Sequence, residues 1–167
     1  MKRILLSFCF ISLALFSFSQ NKKAEKDSIA LVKFGKAIAA LEAKDFVIIV
    51  DSYEAGQGVF ETNNDDANFL SYEKELVFVQ GQIIAGNSHT NKLTVSEYNK
   101  TADKKGNISI RMQVLGSFIN GRIEIFLRKG GNSADVIITP TSGTVKRFSG
   151  EVVPRAESKY FKRSGGI

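Results

Sequence analysis

The stretch Ile108-Ser109-Ile110-Arg111-Met112-Gln113-Val114 decides the reading of this chain. Successive side chains of an extended backbone point to opposite sides, so Ile108, Ile110, Met112 and Val114 share one face and Ser109, Arg111 and Gln113 the other. One apolar and one polar face is the pattern of an antiparallel sheet with a single buried side. Downstream, Asn120-Gly121 predicts a hairpin, because both residue types tolerate positive φ. Ile123, Ile125 and Leu127 then alternate with Arg122, Glu124 and Arg128, and the two runs are expected to pair antiparallel. Gly130-Gly131-Asn132 turns the chain into Ala134, Val136 and Ile138, and Gly143 turns it again into the segment from Val145 to Val153. Four consecutive strands joined by short turns make a meander.

Upstream the same period of two persists. Phe46 to Tyr53 is rich in β-branched residues, and Ala55 to Asn68 reads as a turn or long hairpin loop with Gly56, Gly58 and Asn63-Asn64-Asp65-Asp66. Phe69 to Gln80 resumes the apolar pattern, Gly81 and Gly86 bracket a short segment, and Leu93 and Val95 begin another run. About eight strands without helical crossovers predict a mainly β fold, either an antiparallel β-sandwich or a lipocalin-like up-and-down barrel. A single helix precedes them. From about Asp27 to Ala43, Leu31, Phe34, Ile38 and Leu41 recur at spacings of three and four, with lysines and Glu42 on the other side. That apolar stripe is expected to pack on the domain's own core.

The first residues read differently. Met1 to Arg3 is basic, Ile4 to Phe18 is apolar, and Ser17 and Ser19 supply the small side chains of a signal-peptidase site. The expected organisation is a signal peptide over 1–19, a helical segment over 20–44, an antiparallel β domain over 45–154 and a basic C-terminal tail over 155–167. The apolar run is short of the roughly twenty residues needed to span a bilayer, so no transmembrane segment is expected in the mature chain. Cys9 lies too early to carry a lipid at the cut, which predicts a periplasmic or secreted protein without a lipid anchor. Cys9 is the one cysteine of the chain, so export implies a fold held without disulfides.

With 167 residues, 43% of them hydrophobic and 24% charged, the chain has the composition of one globular domain rather than a disordered segment. Loss of Lys2 and Arg3 with the signal leaves 21 basic against 17 acidic residues, a net charge of +4. This is a solubility-level charge, and although Arg111, Arg122, Arg128, Lys146 and Arg147 sit on strands, no nucleic-acid partner is expected for an exported protein.

Catalytic signals are sparse. His89 lies in the polar loop Gly86-Asn87-Ser88-His89-Thr90 and reads as a solvated histidine, with no Gly-x-Ser-x-Gly elbow nearby. Asp65 and Asp66 offer oxygen atoms to calcium but lack EF-hand spacing, so a polar turn is the better reading. Neither a metal nor a cofactor is expected. Carboxylates for a hydrolase would have to come from Asp51, Glu54, Glu73 and Glu75, and without tryptophan a sugar platform would have to come from Tyr53, Tyr72, Tyr98 or Tyr160.

Four segments in order carry a resemblance: Phe46-Val-Ile-Ile-Val-Asp, Asn68-Phe69-Leu70, Lys105-Gly106-Asn107 before the alternating strand, and Phe148-Ser-Gly-Glu-Val-Val-Pro154 followed by Ser158, Tyr160 and Phe161. From about Phe46 to Lys162 the chain resembles the secreted Bacteroidota domain of unknown function 4251. The resemblance implies a β-rich periplasmic or cell-surface domain and supplies no catalytic residues. The expected function is a non-enzymatic binding or envelope-associated module, with a carboxylate-based hydrolase as the alternative. An eight-stranded barrel either fills with side chains or holds one small ligand. If a small apolar ligand is held, Ile108, Ile110, Met112, Val114, Ile123, Ile125 and Leu127 are its candidate walls.

Overall fold

The computed structural model describes residues 24–164, 166 and 167. The expected signal peptide therefore lies outside the described residues. The first element, α1, is helical over 24–43. Ten strands follow: β1 (Phe46–Ile49), β2 (Ser52–Gly56), β3 (Val59–Thr62), β4 (Phe69–Glu73), β5 (Leu76–Gln80), β6 (Thr90–Ala102), β7 (Ile108–Leu115), β8 (Gly121–Leu127), β9 (Ser133–Pro140) and β10 (Lys146–Pro154). A one-turn helix, α2 (Gln82–Ala85), joins β5 to β6, and a 3-10 turn (Arg155–Glu157) follows β10.

The barrel alternative is the one realised. The order β1-β4-β5-β6-β7-β8-β9-β10 closes on itself through β1–β10 pairing, so eight antiparallel strands form the wall. Closure depends on β10, which pairs with β1 through Pro154, Val153 and Val152 and with β2 through Phe148 and Ser149. Between these, Gly150 passes so near β1 that a Cβ would collide with the Ile49 carbonyl oxygen. Beyond this point β2 and β3 leave the wall as a hairpin, and β3 pairs with β2 alone among the described residues.

The alternation read from Ile108 to Val114 appears unchanged as a buried/exposed alternation along β7. β7 and β8 do pair, with Met112 opposite Ile123 and Ile110 opposite Ile125. Their connection is not a two-residue Asn-Gly turn, however. Gly121 already belongs to β8, and Asn120 instead closes a five-residue loop by accepting the Gly116 N–H on Oδ1 at 2.9 Å. β4 and β5, read as one run, are two strands joined at Lys74-Glu75, both in the left-handed region at φ 50° and 67°. The single-helix expectation also missed α2, whose buried Ile84 joins the core.

α1 is amphipathic, but only its C-terminal half packs as predicted. Ala37, Ala40 and Leu41 are buried in the core and Phe34 and Ile38 pack against it, whereas Leu31 is exposed. The half-helix that reaches the core ends in a Schellman arrangement, with Lys44 N–H bonded to Leu41 O and Asp45 N–H to Ala40 O. Lys44 takes the left-handed position usually given to glycine, at φ 52°. Its ammonium lies 5.2 Å from the Tyr98 ring centroid and 3.4 Å from a Glu75 carboxylate oxygen, contacts that hold it there. Ion pairs Lys33–Glu151, Lys36–Glu157 and Lys100–Glu42 trace the helix from β10 across to β6.

Candidate functional site

The seven candidate walls all point inward, and each is at most 6% exposed. They pack in one cluster with Phe46, Ile48, Leu70, Tyr72, Val136 and Phe148 from the other strands of the wall. Core packing of this kind fills a small barrel with its own side chains. Grooves are also present on the outer surface.

One of them is built by α1 and β10. Before it reaches the barrel, α1 carries a second stripe, Ile29, Val32, Lys33 and Lys36, at spacings of three, one and three, rotated away from the stripe that enters the core. This stripe faces β10 across a groove of about 340 Å³ whose apolar lining includes Ile29, Val32, Val153 and Pro154. Ile29 is 53% and Val32 59% exposed, so branched aliphatic side chains stand in solvent beside an apolar strand end. The rim is charged but internally neutralised, by Lys33–Glu151 at 3.1 Å and Lys36–Glu157 at 2.8 Å. Asn132 closes the floor: its backbone oxygen accepts the Val152 N–H at 2.7 Å, and its Nδ2 donates to Glu151 Oε2 at 3.2 Å and to Val152 O at 3.3 Å. Away from the groove lining, burial and then the nearby Glu151 carboxylate push the Asp51 carboxyl above its ordinary value. An apolar floor with a paired, neutral rim suits an uncharged or weakly polar molecule. The stripe Leu31, Phe34, Ile38 and Leu41 does not reveal this groove; its signal in the sequence is the i, i+3 pair Ile29/Val32.

The remaining candidates are dispersed. Glu54 accepts from Gly58 N at 2.9 Å and from Arg147 at 3.2 Å, which hold its carboxyl below the ordinary value. Glu73 is engaged by Ser71, Lys162 and Tyr160, and Glu75 by Lys44 and Tyr72. Glu54, Glu73 and Glu75 thus have separate sets of partners, and none of these is shared with Asp51. His89 sits in its exposed loop, where its backbone N–H donates to Asn87 Oδ1 at 2.9 Å. Asp65 caps its own turn, accepting from Ala67 N at 2.9 Å and from Asn68 Nδ2 at 3.3 Å, in keeping with the polar-turn reading. The arginines expected on strands are paired, although Arg128 falls just past the end of β8: Arg111 and Arg122 with Glu124, Arg128 with Asp135, Arg147 with Glu54. Of the tyrosines, Tyr72 and Tyr98 pack edge to face at 5.7 Å, and burial pushes the Tyr98 phenol far above its ordinary value. Tyr160 packs on Phe69 with centroids 4.7 Å apart.

Among the described residues no helix is long and apolar enough to cross a membrane. No protein-family model and no curated protein matches the chain. Among solved structures, the chain is similar to a DUF4251 family protein from Bacteroides eggerthii DSM 20697, with 26% sequence identity and a TM-score of 0.69. The similarity covers 79% of this chain and 94% of that one. The resemblance to the DUF4251 family of Bacteroidota, carried by four segments of sequence, therefore extends over nearly the whole solved domain.

Proposed function

We propose that this chain, with the fold of the DUF4251 family, is an exported, non-enzymatic binding module of the cell envelope that takes a small apolar ligand in the groove between α1 and β10. The observation that carries the reading is the exposure of Ile29 and Val32 over an apolar floor at Val153 and Pro154. Exposed aliphatic side chains grouped at a concave surface are the usual mark of a binding site on a soluble domain. A filled barrel supports placing the ligand outside the wall rather than within it. The apolar, signal-like N-terminus supports export.

Native mass spectrometry of the protein purified from its own cell envelope fraction tests this. The expected result is an additional mass that is lost on denaturation and absent from the Val32→Glu variant. A bare protein mass, or an adduct retained by Val32→Glu, overturns the assignment of the groove.

A further inference from the structure

A separate surface lies on the β2–β3 hairpin. The charge of the chain is segregated there: between positions 45 and 73 stand Asp45, Asp51, Glu54, Glu61, Asp65, Asp66 and Glu73, with no lysine or arginine, in a chain whose bases outnumber its acids. Asp45, Glu54 and Glu73 pair with Arg155, Arg147 and Lys162. Asp51, Glu61, Asp65 and Asp66 have no ion-pair partner among the described residues. These four lie on β3, in the loop that follows it, and at the entrance to β2.

The same hairpin ends the sheet. All four residues of β3 are exposed, Phe60 at 60%. Asn63 N–H donates to Asp51 O, and Glu61 sits opposite Tyr53, so the backbone groups of residues 61 and 63 turn toward β2. By the alternation of an antiparallel ladder, the N–H and C=O groups of Phe60 and Thr62 face the open side. Phe60 lies opposite Glu54 and shares its sheet face, and Glu61 lies on the other face, where the Tyr53 hydroxyl donates to it at 2.8 Å. A segment added beside β3 would set alternate side chains against Phe60 on one face and against Glu61 on the other.

We infer that the free edge of β3 is a docking site for an extended peptide that alternates basic and apolar residues, adding as a further strand with its apolar side chains beside Phe60 and its cations beside Glu61 and the neighbouring aspartates. The backbone groups of Phe60 and Thr62 supply the ladder, Phe60 supplies apolar contact, and the carboxylates without a cationic partner among the described residues supply the preference for positive charge. This surface is distinct from the α1–β10 groove and stands independently of it.

The test is a titration of the isotopically labelled protein with a blocked seven-residue peptide of alternating lysine and valine, followed by amide chemical shifts, and with its glutamate–valine counterpart. The expected result is saturable shifts centred on Phe60, Glu61, Thr62 and Asn63, with the acidic peptide at least tenfold weaker. Glu61→Lys should narrow or reverse that preference, and Thr62→Pro, which removes an outward N–H while sparing the bonds to β2, should abolish binding. Amide shifts of β7 and β8 verify that each variant is folded. Equal binding of the two peptides, shifts centred elsewhere, or self-association through β3 that the lysine–valine peptide does not displace would each overturn the inference.

Discussion

Gln80 and Phe161 are joined across eighty-one positions of sequence: the fully buried Gln80 amide donates from Nε2 to the Phe161 carbonyl oxygen at 2.6 Å. The same Nε2 donates to Ala67 O at 3.0 Å, and Oε1 accepts from Arg163 N at 2.8 Å and from the Thr90 hydroxyl. Both amide protons and both oxygen lone pairs are used, so a buried polar side chain carries no unmet hydrogen bond. The tail beyond β10 is thereby a docked arm. Ile167 extends the contact, donating to Thr90 O and accepting from Lys92 N along the side of β6.

Replacing Gln80 with leucine keeps the volume roughly constant but leaves the buried Ala67 carbonyl and the partly buried backbone groups of Phe161 and Arg163 without their partner. A loss of about 2–4 kcal/mol is expected, since each unmet buried group costs about 1–3 kcal/mol. Chemical denaturation measures the loss, and hydrogen exchange at Arg163 and Ile167 should quicken well before that of β7.

The tail is also tied by charge. Partial burial raises the Glu73 carboxyl, but hydrogen bonds from Lys162 and Ser71 and the attraction of Lys162 and Arg155 outweigh it, and the net shift is downward. A carboxyl lowered in the folded state stabilises it above the unfolded value of about 4.5 and loses that contribution as the pH falls through the folded value. Limited proteolysis of the tail should accelerate below about pH 4.5. Glu73→Gln should show faster cleavage at neutral pH and a flatter pH profile; an unchanged profile would contradict the role given to Glu73.

The turn at Lys74-Glu75 holds two non-glycine residues in the left-handed region, a conformation that costs each about 1 kcal/mol and that two-residue hairpins normally give to asparagine and glycine. The double change Lys74→Asn and Glu75→Gly should raise stability by about 1 kcal/mol, after loss of the exposed Lys44–Glu75 pair. A shift in the thermal midpoint reads it directly.

Gly150 allows β10 to lie against β1. Alanine at this position puts a methyl into the Ile49 carbonyl oxygen, and closure of the wall should weaken by about 3 kcal/mol or more. Faster amide exchange along Ile48–Ile49 and Val152–Val153, with β7 and β8 unaffected, would locate the damage at the seam.

Ile125 tests whether the interior is core. As a packed residue, Ile125→Ala should cost about 2–5 kcal/mol. It should leave any adduct seen by native mass spectrometry in place. Loss of the adduct with little loss of stability would instead return the ligand to the barrel.

Much of this was legible in a single chain. Strand alternation is a local property, so Ile108 to Val114 and Ile123 to Leu127 announced their faces and their pairing, and a meander of short connections left a sandwich or a barrel as the solutions. Signals that depend on one residue type also survived, such as the polar turn around Asp65. The choice of barrel over sandwich was beyond the sequence, because it rests on the contact of β10 with β1, strands about a hundred residues apart that meet where Gly150 removes a side chain. The same holds for Lys74-Glu75, where strand pairing and the nearby Lys44 override weak turn propensity, and for Leu31, whose place in a helical stripe could not reveal that the barrel ends before the helix does. Local periodicity determined which faces are apolar; only tertiary packing decided which of those faces meet one another and which, as at Ile29, Val32 and Phe60, remain open to a partner.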